Sequence, residues 1–175
     1  MKKITIITAL SCLALCAITI NACKKNKNTS TMEVRLTDGP TNLLEVNVDI
    51  QQVRVKFDDD TSNANNGWIT LPTNAKVYNL LNFKNGVDTV LATGPLQQAV
   101  VKQIRFVLGS NNTVKDSLGV VHSLTIPSGS ESGLKIKISK KLGLTLETLI
   151  IDFDAELSIK KEIDGYKLRP VLKIK

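Results

Sequence analysis

Apolar and polar residues alternate along most of the chain beyond residue 31, and this period of two constrains the fold more than any other feature. From Leu149 to Ile159 every odd-numbered residue is apolar, and the even-numbered residues from 152 onward are polar. Shorter alternating segments run over residues 134–139 and 166–175. Because successive side chains of a strand point to opposite faces, the alternation predicts half-buried strands, including a single strand over residues 149–159.

One long alternating segment changes parity in its middle. Residues Leu44 to Ile50 are apolar at even positions, whereas Val53 to Phe57 are apolar at odd positions. One extra residue at Gln51-Gln52 would return both halves to the same face, which is how a β-bulge reads in a sequence. The alternative is two strands joined by a bend that switches sheets.

Turn residues separate the alternating segments, for example at Asp38-Gly39-Pro40, Asn85-Gly86 and Asp164-Gly165. Glycine and asparagine supply the positive φ that tight turns need, and proline presets their first position. We therefore predict one all-β domain over residues 32–175, with about nine strands in an antiparallel sandwich or barrel.

The first 23 residues predict an exported lipoprotein. Two lysines precede an uncharged, mostly apolar run over residues 4–20, and Asn21-Ala22-Cys23 follows directly, which is typical of a secretory signal. Ile20 to Cys23 resembles a bacterial lipobox, in which the cysteine receives a lipid and the chain is cut before it. We expect residues 1–22 to be the signal peptide and residues 23–31 to be the lipidated cysteine and a polar tether. An uncleaved anchor and lipidation at Cys16 are the alternatives.

Cysteine usage and charge narrow the function further. The three cysteines are Cys12, Cys16 and Cys23, so cleavage would leave no pair for a disulfide and no free thiol for zinc or catalysis. The net charge of +7 falls to +2 without the five lysines at positions 2, 3, 24, 25 and 27. Because so little excess charge remains, we expect no nucleic-acid partner. From the lipidated Cys23 we expect a lipid anchor in the outer membrane of a Gram-negative bacterium, with the leaflet undecided.

Carboxylates are the strongest candidates for a site. Asp152 and Asp154 would share one face of the predicted strand, Glu156 would extend the row, and Asp38 could join from the first turn. Such oxygens could bind a cation such as calcium, or supply an acid/base pair for glycosidic hydrolysis. The plainer interpretation is a solvated face paired with lysines of a neighbouring strand, such as Lys135, Lys137 or Lys173.

Two other features of the sequence could bind a ligand. Trp68 follows the acidic segment over residues 58–66 and could be either a core residue or an exposed platform for stacking a sugar. The segment itself is rich in loop oxygens suited to calcium, although a solvated hairpin tip explains it as well. The only histidine, His122, is interpreted as an ordinary strand residue.

A set of short motifs in fixed order resembles a known family. The set comprises Leu36-Thr37-Asp38-Gly39-Pro40, Trp68-Ile69-Thr70-Leu71, Gln103-Ile104-Arg105-Phe106, Asp152-Phe153-Asp154-Ala155 and Leu168-Arg169-Pro170-Val171. It is similar to the bacterial domain-of-unknown-function family numbered 4382, over about residues 32–174. The resemblance implies a small envelope lipoprotein with a transthyretin-like or immunoglobulin-like β-sandwich, and no agreed activity.

We expect a non-enzymatic binding or adhesion module, associated with glycans and held on the membrane by its lipid. A structural or assembly subunit of an envelope complex or pilus, pairing through an envelope protein partner, is the alternative. A hydrolase using Asp152 and Asp154 is more distant. No cofactor is expected apart from the calcium considered above.

Overall fold

The computed structural model describes residues 29–175 except residues 40, 58–66, 98–99, 128–133 and 144–145. The signal peptide, Cys23 and the acidic segment therefore lie outside the described residues. The strands are β1 (Thr29–Thr37), β2 (Glu45–Lys56), β3 (Ile69–Leu71), β4 (Lys76–Asn79), β5 (Thr89–Gln97), β6 (Val100–Leu108), β7 (Thr113–Lys115), β8 (Val121–Thr125), β9 (Leu134–Lys141), β10 (Leu146–Phe153), β11 (Ile159–Glu162), β12 (Gly165–Leu168) and β13 (Leu172–Ile174). A 3-10 turn (Leu80–Phe83) and one short helix, α1 (Ala155–Ser158), complete the described elements.

The strands form two sheets, which confirms the predicted all-β, sandwich-like fold. The small sheet has the order β13-β10-β1-β5, and the large sheet has the order β11-β12-β8-β7-β2-β6-β9, with β3 and β4 also paired to β2. The sheets are mixed rather than antiparallel as predicted, because β1 pairs with β10 and β12 pairs with β8 in parallel. Thirteen strands are described instead of about nine, since several are only three or four residues long.

The core lies between the sheets and follows the predicted alternation. Met32, Val34 and Leu36 of β1 are fully buried, as are the alternating residues of β10 from Leu149 to Phe153. In β2 the pairing with β6 shifts register between Ile50 and Gln52. The predicted bulge is therefore confirmed, and it keeps both halves of one continuous strand facing the core.

The single strand predicted over residues 149–159 is wrong. β10 ends at Phe153, and Asp154 caps the short helix α1 by accepting a hydrogen bond from the Leu157 N–H. The domain also begins earlier than predicted. Thr29 to Thr31, assigned to the tether, pair with β5 because strand β1 continues back to Thr29.

The two ends of the sandwich differ in what they carry. At the end where β1 begins, Thr29 pairs with Gln97, and β6 and β9 meet where Val100 pairs with Lys141. We call this the Thr29 end. At the opposite end, the Thr37 end, β1 and β10 both finish, because they are parallel. The β1–β2 connection, the β7–β8 turn and the β11–β12 turn also lie there.

Candidate functional site

Asp38 lies directly after β1, at the Thr37 end, and is almost completely buried with 2% of its surface exposed. Its Oδ1 accepts a 2.9 Å hydrogen bond from the Ala155 N–H at the start of α1. Its Oδ2 has no hydrogen-bond partner among the described residues. The pKa of the Asp38 carboxyl is raised to about 6, chiefly by burial and to a smaller extent by the charges of Asp152 and Asp154.

Asp152 and Asp154 follow the neighbouring parallel strand to the same end. Oδ2 of Asp154 accepts a hydrogen bond from Lys173 Nζ at 2.9 Å, and Oδ2 of Asp152 lies 3.5 Å from Lys175 Nζ. Burial alone would raise the pKa of Asp154, but Lys173 and the Leu157 N–H outweigh it and lower that pKa. Each of the two carboxylates is thus paired with a lysine of β13 or of the residue after it.

Asp38, Asp152 and Asp154, three of the four predicted cation ligands, lie together at the Thr37 end. The fourth, Glu156, is separated from them. Glu156 lies on α1 rather than on a strand, and its Oε2 accepts a hydrogen bond from Thr41 Oγ1. Within the described ranges, no group of three or more acidic, histidine or cysteine side chains is arranged to hold a metal ion. Of the lysines considered as partners, Lys173 pairs with Asp154, whereas Lys135 and Lys137 lie on the other sheet.

A cleft of about 260 Å³ opens at the Thr37 end, and of the four predicted cation ligands, all within the described residues, Glu156 alone is among the residues that line it. The β1–β2 connection, the β7–β8 turn, α1, β11 and β12 all contribute to it. Its lining comprises Asn42, Leu43, Asp116, Ser117, Glu156, Ile159, Lys161 and Tyr166. The lining therefore combines carboxylates, an amide, a hydroxyl and an ammonium group with one aromatic ring.

A histidine cluster supports one wall of the cleft. His122 Nε2 lies 2.8 Å from Asp116 Oδ2, and the imidazole packs on the Tyr166 ring with 4.6 Å between centroids. The hydrogen bond to His122 lowers the pKa of Asp116, and the N–H groups of Val120 and Leu118 lower it further. Lys161 Nζ lies 5.6 Å from the centre of the same Tyr166 ring.

Sequence reasoning missed this cluster. Asp116 and His122 are six residues apart on either side of a turn at Gly119, whose φ is +83°. A hairpin prediction at that glycine would have placed the two side chains near one another. Nothing in the sequence indicates that Tyr166 joins this cluster. Its strand lies beside β8 through a parallel pairing of Tyr166 with Leu124, and the two residues are distant in the chain.

A second concavity, of about 580 Å³, lies among β6, β7 and β8. Its lining includes Leu108, Ser110, Asn112 and Leu124. The Asn112 side chain makes hydrogen bonds within the fold: it accepts one from the Asp49 N–H and donates one to the Gly109 carbonyl. This concavity is therefore built around a buried turn of the fold.

Trp68 is half-buried and lies outside the core. Its ring covers the guanidinium of Arg105, with 4.2 Å from Cζ to the ring centre. Arg105 pairs across the large sheet with Arg54 on one side and Lys135 on the other. The ring thus borders a row of cations, and stacking on a sugar stays a prediction.

No described helix is long and apolar enough to cross a membrane. Cys23, the predicted lipidation site, lies outside the described residues, six positions before the start of β1.

A family model described as a domain of unknown function (DUF4382) matches residues 29–170. The match covers almost all of the two-sheet domain and confirms the family resemblance seen in the motifs. No curated protein matches the chain, and no solved structure matches it.

Proposed function

The chain belongs to the DUF4382 family, and on that premise we propose that it is a lipid-anchored, non-enzymatic binding module that takes a glycan at the cleft of the Thr37 end. The anchor is Cys23, in the outer membrane of a Gram-negative bacterium. The lipobox resemblance around Cys23 supports the anchor, and the position of the cleft supports the binding role.

The observation that carries this proposal is the separation of the cleft from the tether. The chain leaves the domain at Thr29, and the cleft lies at the opposite end of β1. Nine strand residues at about 3.3 Å each put roughly 30 Å between the two ends. A domain attached by its Thr29 end therefore holds the cleft away from the membrane.

The chemistry of the cleft suits a ligand with many hydroxyl groups. Asn42 can both donate and accept hydrogen bonds, Glu156 can accept them, and Lys161 can donate them. Tyr166 is buried, with 8% of its surface exposed, and forms an apolar floor beneath these polar groups, while the His122–Asp116 pair packs against it. In a small polar cleft of this kind, the positions of a few hydrogen-bonding groups determine which ligand binds, more than the area of ligand surface that is buried.

Binding can be tested on the mature chain, residues 23–175, carrying Cys23→Ser so that it stays in solution. We expect saturable binding to at least one member of a panel of neutral and acidic glycans. The double variant Lys161→Ala/Glu156→Gln should weaken binding at least about tenfold, the loss expected for one or two hydrogen bonds. Lys76→Ala, an exposed lysine on β4, is the matched control and should bind normally. Absence of saturable binding across the panel would overturn the glycan proposal.

The anchor is tested separately in cells. Wild-type protein should incorporate a labelled fatty acid and fractionate with the outer membrane, whereas Cys23→Ser should do neither. Protease shaving of intact cells, with a periplasmic protein as control, would then decide which side the domain faces. If Cys23→Ser were labelled as strongly as the wild type, a residue other than Cys23 would carry the lipid.

A second candidate, an assembly subunit, is favoured by exposed apolar residues on two turns at the Thr37 end. Leu118 in the β7–β8 turn is 87% exposed, and Ile163 in the β11–β12 turn is fully exposed. Because β12 runs parallel to β8, both turns lie at the same end of the large sheet. A protein partner would cover them.

The two candidates separate experimentally. Leu118→Ser/Ile163→Ser should abolish cross-linking to an envelope protein if the domain assembles there, and should leave glycan binding unchanged. Lys161→Ala/Glu156→Gln should do the reverse.

A further inference from the structure

The positive charge of the domain is concentrated in the half nearest the Thr29 end. Residues 54–56, 100–105 and 134–147 carry eight lysines and arginines and a single carboxylate, Glu147. Even with the three aspartates of residues 58–60 counted in, four cations remain in excess. The segments at the Thr37 end, residues 38–49, 83–88, 109–118 and 152–175, carry ten carboxylates and eight cations. The domain is therefore electrically polar along its long axis.

The strand register places these cations side by side. Arg54 of β2 pairs with Arg105 of β6, and Arg105 pairs with Lys135 of β9, which makes a row of three cations across the large sheet. Like charges directly opposite one another destabilise a sheet. Burial, with the charges of Arg105 and Lys56, lowers the pKa of Lys135, as expected for cations in close contact. Arg105, in the middle of the row, is 2% exposed, so Lys135 at the outer end of the row is its member best placed to meet an external anion.

The outer side of this row is accessible at the edge of the sheet. β9 pairs only with β6 in the described sheet and forms its edge, and Lys135, Lys137 and Lys141 are exposed along it. Trp68, directly before β3, borders the row through its contact with Arg105. Lysine stems and a tryptophan ring are the side chains that suit the headgroup region of a bilayer, where one end is apolar and the other is hydrated.

The length of chain before the domain keeps this half close to the membrane. Six residue steps separate Cys23 from Thr29, so a fully extended tether spans at most about 20 Å. The tether itself carries Lys24, Lys25 and Lys27. Attraction of lysines to an anionic surface acts within roughly one Debye length, about 8 Å at physiological salt, which the tether allows the domain to approach.

We propose that the cationic face formed by the exposed Lys135, Lys137 and Lys141 of β9 docks on the anionic phosphate headgroups of the membrane that holds the protein. The inference rests on the lipid anchor of the proposed function. It adds an orientation: the exposed lysines of β9 face the membrane.

The test measures sedimentation of the mature Cys23→Ser chain with vesicles, so no lipid on the protein contributes. Vesicles of phosphatidylcholine alone are compared with vesicles of phosphatidylcholine and phosphatidylglycerol. We expect binding to the anionic vesicles only, weakening as salt is raised. Lys135→Gln/Lys137→Gln/Lys141→Gln should lower the partition coefficient about 100-fold, at roughly a fivefold contribution per lysine.

The matched control is Lys76→Gln/Lys160→Gln/Lys161→Gln, which removes the same charge from exposed sites outside the face and leaves the tether lysines in place. It should change partitioning less than about threefold, since charges beyond a Debye length are screened. Thermal unfolding of both triple variants verifies that they fold. Equal losses in the two triples, or equal binding to neutral vesicles, would overturn the proposal.

Two further outcomes separate this inference from the anchor and from a glycan ligand. Loss of fatty-acid labelling at Cys23 would remove the anchor while leaving vesicle binding of the unlipidated chain intact. Binding of a soluble sulfated polysaccharide without binding to anionic vesicles would overturn the docking and assign the face to a glycan.

Discussion

Oδ1 of Asp38 accepts a hydrogen bond from the backbone N–H of Ala155, a residue 117 positions later in the chain. The contact joins the ends of the parallel strands β1 and β10 and fixes the start of α1. It also leaves the other oxygen of Asp38 buried and, among the described residues, without a hydrogen-bond partner. The energetic consequences of that burial can be measured.

The raised pKa of Asp38 predicts that the protein becomes more stable on mild acidification. The carboxyl titrates near 3.8 when unfolded and at about 6 when folded, so its stabilising protonated form is fully present below about 3.8. That contribution is lost as the pH rises through about 6, at a cost of roughly 2 to 3 kcal/mol in the free energy of unfolding. Urea unfolding between pH 4.5 and 7.5 should show the decline.

Asp38→Asn tests the assignment, since it keeps an acceptor for the Ala155 N–H and removes the charge. It should raise the free energy of unfolding at pH 7.5 and flatten the decline over the same pH range. A decline as steep as that of the wild type would assign the titration to another group.

Asp154 should contribute to stability mainly as the cap of α1. Asp154→Ala removes the acceptor for the Leu157 N–H and should cost about 1 kcal/mol, as for other helix caps. Asp154→Asn retains that acceptor and should cost less, although it loses the ion pair with Lys173. Chemical denaturation of both variants measures the difference, and equal losses would show that the ion pair is the larger contribution.

Gly109 should not tolerate a side chain. An added Cβ would collide with the carboxyl of Asp49, which is buried and accepts hydrogen bonds from the Asn111 N–H and from Gln51. Gly109→Ala should therefore lower the free energy of unfolding by about 1 to 3 kcal/mol, the usual cost of overpacking. Gly39→Ala is the control, because its Cβ would meet nothing within 4 Å. Similar midpoints for the two variants would contradict the contact.

Asp116 should stabilise the β7–β8 turn. One of its oxygens accepts hydrogen bonds from the Leu118 and Val120 N–H groups, and the other contacts His122. Because its pKa is lowered in the fold, this contribution is present above about pH 3.8, the ordinary value, and is lost as the pH falls through the folded value. Asp116→Ala should lower the midpoint of thermal unfolding at pH 7 more than Ser117→Ala does. A larger shift for Ser117→Ala would exclude this role.

The alternation of side chains was sufficient to predict the fold class and the bulge in β2, because burial of one face is a local property of a strand. It failed at residues 154–158. Ala155 and Leu157 continue the alternation, yet α1 forms there because Asp154 and the distant Asp38 satisfy its first N–H groups. Contacts between remote segments leave no local pattern.

The same reason explains the candidate site. Asp152 and Asp154 were predicted from their spacing along one strand and Asp38 from its place in the first turn, and the parallel pairing of β1 with β10 brings the three together. Period-two patterning does not encode strand direction, so neither the parallel pairs nor the ion pairs with Lys173 and Lys175 could be predicted. The alternation over residues 166–175 also suggested one strand. In the structure the chain changes sheets around Pro170, with β12 in the large sheet and β13 in the small sheet.

The position of β1 determines how the domain bears tension. β1 is hydrogen-bonded to β10 on one side and to β5 on the other along nearly its whole length, and the chain enters it at Thr29. A pull on Thr29 along the strand, opposed at the Thr37 end, acts across two ladders whose bonds run roughly crosswise to the force. The bonds must then yield together in shear rather than open singly like a zipper, so the joint between tether and domain is mechanically strong.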